Sequence, residues 1–138
     1  AQRITQGKSM MDTKETNRRY MVSDECFEIM TEAMRLRSNS IKKFSSLRDV
    51  VEHSISALEA EPFEDLDFHL FISSKPIKGG IAVHLRLSVR VNLALSNLQH
   101  KLTEICGLEV YDRTAIAYFL QLYIDRKLYR PPINPLDT

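Results

Sequence analysis

Two short segments with apolar residues at alternate positions lie far apart in this chain, and two helical patterns follow each of them. The first is "NRRYMV", Asn17–Val22. The second is "HLRLSVRV", His84–Val91. In the second, Leu85, Leu87, Val89 and Val91 share one side of an extended chain, and His84, Arg86, Ser88 and Arg90 share the other. Such alternation marks a half-buried strand. A lone strand backed by two helices leaves its hydrogen-bonding edges open and its apolar stripe uncovered. Two such units solve both problems together when their strands pair antiparallel and four helices close over the apolar face.

The helical patterns are specific about their ends. Ser23-Asp24 opens the first helix, with Asp24 and Glu25 where the helix dipole favours acids, and Cys26, Ile29, Met30, Ala33 and Met34 follow at helical spacing. Ser46, three residues before Asp49, approximates a capping box for a second helix bearing Leu47, Val50, Val51, Ile55 and Leu58. In the other half Asn92 reads as the N-cap of a helix carrying Leu95, Leu98, Leu102 and Ile105, and Gly107 suits a left-handed C-cap. Asp112 reads as the cap of a last helix, "RTAIAYFLQLYIDRKL", apolar nearly all round and so expected at the centre of the core. The strand ends Val22 and Val91 lie 69 residues apart, and the second helices begin 24 and 21 residues after them. One architectural unit is used twice.

Between the units, "EAEPFEDLD" is an acidic connector, "FHLFISS" reads as an extra strand and "KPIKGG" as a turn. The expected organisation is a flexible N-terminus (1–16), whose start Ala1–Ser9 reads as an expression remnant, and a first unit (17–60). The connector (61–83), a second unit (84–128) and a Pro-rich tail (129–138) follow. With 43% hydrophobic residues in 138, the chain can bury a real core.

In "RLSVRVNLALSNLQHKLTEICG" followed by "DRTAIAYFLQLYI", and more loosely in "RRYMVSDECFEIMTEAM" followed by "SSLRDVVEHSISAL", each half resembles the ribbon-helix-helix module of Arc- and MetJ-type DNA-binding proteins. The resemblance covers roughly residues 17–60 and 84–128. The loop before the second helix of the first unit is longer than the family's and lacks Gly. The resemblance implies a mainly α fold with a short two-stranded antiparallel β-ribbon, the two units forming a single-chain pseudo-dimer. It also implies that the ribbon enters the major groove of double-stranded DNA.

On that reading the base-reading residues are Arg86, Ser88 and Arg90 from the second strand and Asn17, Arg19 and Met21 from the first. Arg suits guanine, Asn suits adenine, and Met suits a thymine methyl. The family also holds phosphates at the N-terminus of its second helix, where free N–H groups and the dipole favour anions. Here that points to Ser45 and Ser46 with Lys42 and Lys43, and to Arg113 and Thr114. Asp112 stands unfavourably beside the second of these sites. The two halves differ, so the DNA site is expected to be asymmetric. The biological roles implied are those of a phage or plasmid repressor, or of an accessory factor in a relaxosome or partition complex.

Net charge is only +1, so any polyanion surface must be local; residues 51–80 carry two Lys/Arg against six Asp/Glu, while both flanks are mildly basic. Cys26 and Cys106 lack CxxC spacing and read as buried thiols of a reducing, cytoplasmic setting. No apolar run approaches membrane-spanning length, and the polar N-terminus lacks a secretory h-region. His53, His69, His84 and His100 have no metal-ligand spacing, and neither a nucleophile elbow nor a Gly-rich phosphate loop occurs. Enzymatic activity, a cofactor and a metal are therefore not expected. Under an alternative reading the chain is a protein–protein adaptor or antitoxin-like module that uses the acidic connector and the tail. "FHLFISS" and "AVHLRLSV" would then pair as a local hairpin around Lys78-Gly79-Gly80.

Overall fold

The computed structural model describes residues 16–59 and 65–125. Part of the acidic connector and the whole Pro-rich tail lie outside the described residues. The elements run β1 (Thr16–Val22), α1 (Asp24–Ile41), α2 (Leu47–Leu58), α3 (Asp65–Ser74), β2 (Ile81–Leu87), α4 (Val89–Cys106) and α5 (Asp112–Asp125). The fold is mainly helical with one two-stranded antiparallel sheet. In that sheet Asn17 pairs with Arg86, Arg19 with His84, and Met21 with Ala82. The local-hairpin topology is therefore not what forms: β2 pairs with a strand from the other half of the chain.

The elements recur at a fixed interval. The strands start at Thr16 and Ile81, the long helices at Asp24 and Val89, and the next helices at Leu47 and Asp112, each pair 65 residues apart. Both strands have 7 residues and both long helices 18. Side-chain caps recur as well. The Ser23 hydroxyl accepts from the Cys26 amide, and the Ser88 hydroxyl from the Val91 amide. At the other end Lys42 and Gly107 both take left-handed backbone, with φ of 60° and 78°. The Ser45 amide donates to Ser38 Oγ at 2.9 Å, and the Val110 amide to Thr103 Oγ1 at 3.2 Å, joining the same two places in each half.

This interval corrects the sequence reading in three places, one of them Asp112, which as the counterpart of Leu47 is the first residue of α5 rather than its cap. The second strand ends at Leu87, not Val91, and Ser88 rather than Asn92 caps the helix. Val91 fits both periods: it continues the alternation, and it also begins the buried helical series Val91, Ala94, Leu95, Leu98, Leu102. Asn92 lies in the first turn instead, where its Nδ2 donates to the Leu87 carbonyl. "FHLFISS" is also not a strand but part of α3. Its buried residues Phe68 and Phe71 are three apart, as a helix face requires, while Leu70 and Ile72 are exposed.

Helix α5 packs against α1, α2 and α4, and α3 lies against α4 and α5. Ala115 to Leu120, Leu122 and Tyr123 of α5 are all buried, as its apolar circumference anticipates. Phe68 of α3 meets Tyr118 edge-on at a ring separation of 5.0 Å, and Phe71 packs on it at a tilt, at 5.4 Å. The inner face of the ribbon, Tyr20, Val22, Val83, Leu85 and Leu87, closes the core. Burying one such aliphatic side chain contributes about 1.5–3 kcal/mol, so this face cannot be turned outward. The opposite face of the ribbon is thereby committed to solvent.

Candidate nucleic-acid interface

That outward face carries Asn17, Arg19 and Met21 from β1 and Ala82, His84 and Arg86 from β2; all are exposed except Met21, which is half-buried. Directly opposed residues of antiparallel strands have Cβ atoms about 4.5–5.5 Å apart. The face is thus three cross-strand pairs laid end to end: Asn17 with Arg86, Arg19 with His84, Met21 with Ala82. Asn17, His84 and Arg86 share a shallow hollow. Four of the six residues named as base readers, Asn17, Arg19, Met21 and Arg86, are brought together here.

The other two, Ser88 and Arg90, are not on the ribbon. Ser88 is the N-cap of α4, and its amide donates to Glu52 Oε2 at 2.8 Å. Arg90 is helical and reaches α2, with Nη2 2.8 Å from Ser56 Oγ and Nη1 3.3 Å from Glu59 Oε1. Both keep the polar phase of the alternation only because the helix begins where the strand pattern would have continued. His84 and Ala82, not named as readers from the sequence, complete the face. Their signal was the continuation of the alternation back through Val83 to Ile81, directly after Gly79-Gly80.

The flank beside β1 is built by Arg18 and the start of α5. Arg18 alternates with the outward Arg19, so it turns to the helix side. Its Nη1 is ion-paired with Asp112, and its Nη2 donates to Asn92 Oδ1 at 2.6 Å. The Tyr20 hydroxyl also donates to Asp112, at 2.9 Å, and burial pushes the Tyr20 pKa well above its usual value. The Asp112 charge is therefore spent on Arg18 and Tyr20. Its other oxygen, Oδ1, accepts from the Arg113 amide at 3.0 Å, the first-turn donor a phosphate would use. Arg113 Nη1 donates to the Met21 carbonyl at 2.9 Å, tying α5 to the ribbon, and Thr114 is half-buried. Exposed Tyr111 and Lys78 border the same open groove as Arg19 and Arg113; the sequence reading did not name them.

At the start of α2, Ser46 caps the helix through Asp49 N at 3.0 Å. Ser45 is buried, and its hydroxyl donates to Asp49 Oδ2 at 2.9 Å. With its amide on Ser38, Ser45 has no donor left for a phosphate. Partial burial works to raise the Asp49 carboxyl, but the Ser45 hydroxyl and the Arg37 guanidinium outweigh it and hold Asp49 below the usual carboxylate range. Lys42 and Lys43 are exposed just ahead of this helix start.

Among the described residues no group of three or more His, Cys, Asp or Glu side chains converges on a point, and no helix is long and apolar enough to cross a membrane. Cys26 is buried, which pushes its thiol up to about 11, and Cys106 is half-buried. No family model, curated protein or solved structure matches the chain.

Proposed function

We propose that the chain is a tandem, single-chain ribbon-helix-helix protein that binds double-stranded DNA sequence-specifically, laying its two-stranded ribbon in the major groove. The role that fits is transcriptional repression or service as an accessory factor in a DNA-processing complex of the relaxosome or partition type. The reading rests on the register of the ribbon. It sets Asn17 beside Arg86 and Arg19 beside His84 on an exposed face, while the other face is held down by the helices. A two-stranded ribbon is narrow enough for the major groove, and Arg and Asn offer the paired donors and acceptors that base edges match. Lys78 and Tyr111 border the ribbon beside Arg19, and the exposed Lys42 and Lys43 lie ahead of α2; these are the groups offered for phosphates.

The test is selection of bound duplexes from random DNA by the intact chain, followed by titration of the selected duplex. Arg19→Ala and Arg86→Ala should each remove discrimination at one or two base pairs, about 1–3 kcal/mol per lost bidentate pair. Arg90→Ala should leave discrimination intact. Lys42→Ala with Lys43→Ala should weaken all sequences alike and flatten the dependence on salt. Selected binding that Arg19→Ala and Arg86→Ala both leave unchanged would overturn the assignment of the ribbon face.

A further inference from the structure

We infer that the ribbon reads its DNA in one direction, with a purine-recognising end and a thymine-methyl-recognising end; this rests on the DNA-binding reading above. Across the 65-residue interval, Met21 and Arg86 occupy the same place in the two halves, as do Asn17 and Ala82. In the ladder the antiparallel register brings Asn17 beside Arg86 at one end and Met21 beside Ala82 at the other. Equivalent positions therefore gather unlike chemistry at the two ends. One end offers a guanidinium and a carboxamide, suited to guanine O6/N7 and adenine N6/N7. The other offers a thioether and a methyl, suited to the C5-methyl of thymine. The middle pair, Arg19 and His84, sits between them.

The spacing of the two ends follows from strand geometry. They are four residues apart along the ribbon, about 14 Å at about 3.4 Å per residue. With successive base pairs about 3.4 Å apart, that corresponds to about four steps of the duplex. A homodimer of identical strands would present the same chemistry at both ends and select an inverted repeat. This chain instead selects a site with a left and a right, which sets the orientation of the whole protein on the DNA.

The experiment is selection of bound duplexes with the full wild-type chain and with the double variant Met21→Arg/Ala82→Asn. That variant gives both ends the same pair of side chains on the outward face, at exposed Ala82 and half-buried Met21; its fold is checked by circular dichroism and thermal melting. The wild type should enrich a non-palindromic site with two specificity blocks about four base pairs apart. The double variant should enrich an inverted repeat of the wild-type purine block. The single variant Arg86→Ala supplies an independent reading: it should relax preference about tenfold or more in the purine block alone. A palindromic wild-type site overturns the directional inference and leaves DNA binding standing. So does an Arg86→Ala effect spread equally over both blocks. Failure to enrich any duplex overturns the DNA-binding reading itself, and the inference with it.

Discussion

Arg19 and His84 face one another in the β-ladder, and they are also each other's counterparts in the repeat, 65 residues apart. The central pair of the ladder is therefore also the pair related by the 65-residue interval. One-residue slippage would turn the core-facing residues of a strand outward, and Val22 and Leu87 are both fully buried. Burial of both strands pins this register.

The Arg18–Asp112 ion pair, with the Tyr20 hydroxyl on the same carboxylate, ties β1 to the start of α5. Asp112→Ala should cost about 2–3 kcal/mol, because hydrogen bonds to a charged group are lost and Arg18 is left half-buried without its acid. Tyr20→Phe should cost about 1 kcal/mol. Urea denaturation of both single variants and the double variant should give less than the sum of the two losses, since both contacts meet at one carboxylate.

Gly79 and Gly80 should respond very unequally to the same change. A Cβ on Gly79 would fall against Ser23 Cα and the Val22 carbonyl, both backbone atoms, whereas Gly80 has open space around it. The Gly79 amide also donates to the Met21 carbonyl, holding the approach to β2 against the end of β1. Gly79→Ala should destabilise by about 2 kcal/mol or more through overpacking. Gly80→Ala should change the midpoint of thermal unfolding by little.

The two left-handed C-caps make a matched pair. Gly107 carries φ of 78° without strain, and Lys42 carries φ of 60° with a side chain. Gly107→Ala should cost about 1 kcal/mol, and Lys42→Gly should gain about 0.5–1 kcal/mol. If Lys42 contacts phosphate as proposed, Lys42→Gly should weaken DNA binding while raising thermal stability. Parallel melting and binding titrations measure both.

Asp49 gives stability a defined acid limb. Its folded pKa lies below the unfolded value of about 3.9, so the unfolded chain binds more protons through that range. The contribution is complete above about pH 5 and is lost as pH falls through the lower, folded value. Denaturation midpoints from pH 6 down to pH 2.5 should therefore fall, and Asp49→Asn should remove part of that slope.

The cysteines should react at different rates with a thiol reagent at pH 8. Cys26 is fully buried, and its thiol is held at about 11, so its modification should wait on unfolding. Half-buried Cys106 should react first. A single fast equivalent in the native state, and two in denaturant, is the expected count.

Local rules disclosed much of this architecture, and they failed where two of them applied to the same residues. Ser23, Ser46 and Gly107 act at the helix ends assigned to them, because a hydroxyl or a missing Cβ solves a local problem that any context poses. The start of α4 is ambiguous in the sequence because Val89 and Val91 satisfy strand and helix periods at once, and only the pairing partner of β2 decides where the strand stops. The strand period groups Arg90 with Arg86, whereas the helix turns it toward Ser56 and Glu59. The helix at Phe68–Phe71 was hidden by β-favouring residues whose conformation is settled by packing on Tyr118, a contact with a residue far along the chain. The flank at Lys78 and Tyr111 was invisible for a similar reason: neither belongs to a periodic pattern, and only the fold carries them to the edge of β1.

Covalent continuity between β1 and β2 has a consequence for life at low copy number. A probe assembled from two separate chains must first find its partner, so its working form fades as the square of concentration falls. Here the partner strand is always attached, so the pairing of β1 with β2 does not weaken on dilution. Each strand is also free to change by itself, so a substitution in one leaves its counterpart in the other unaltered.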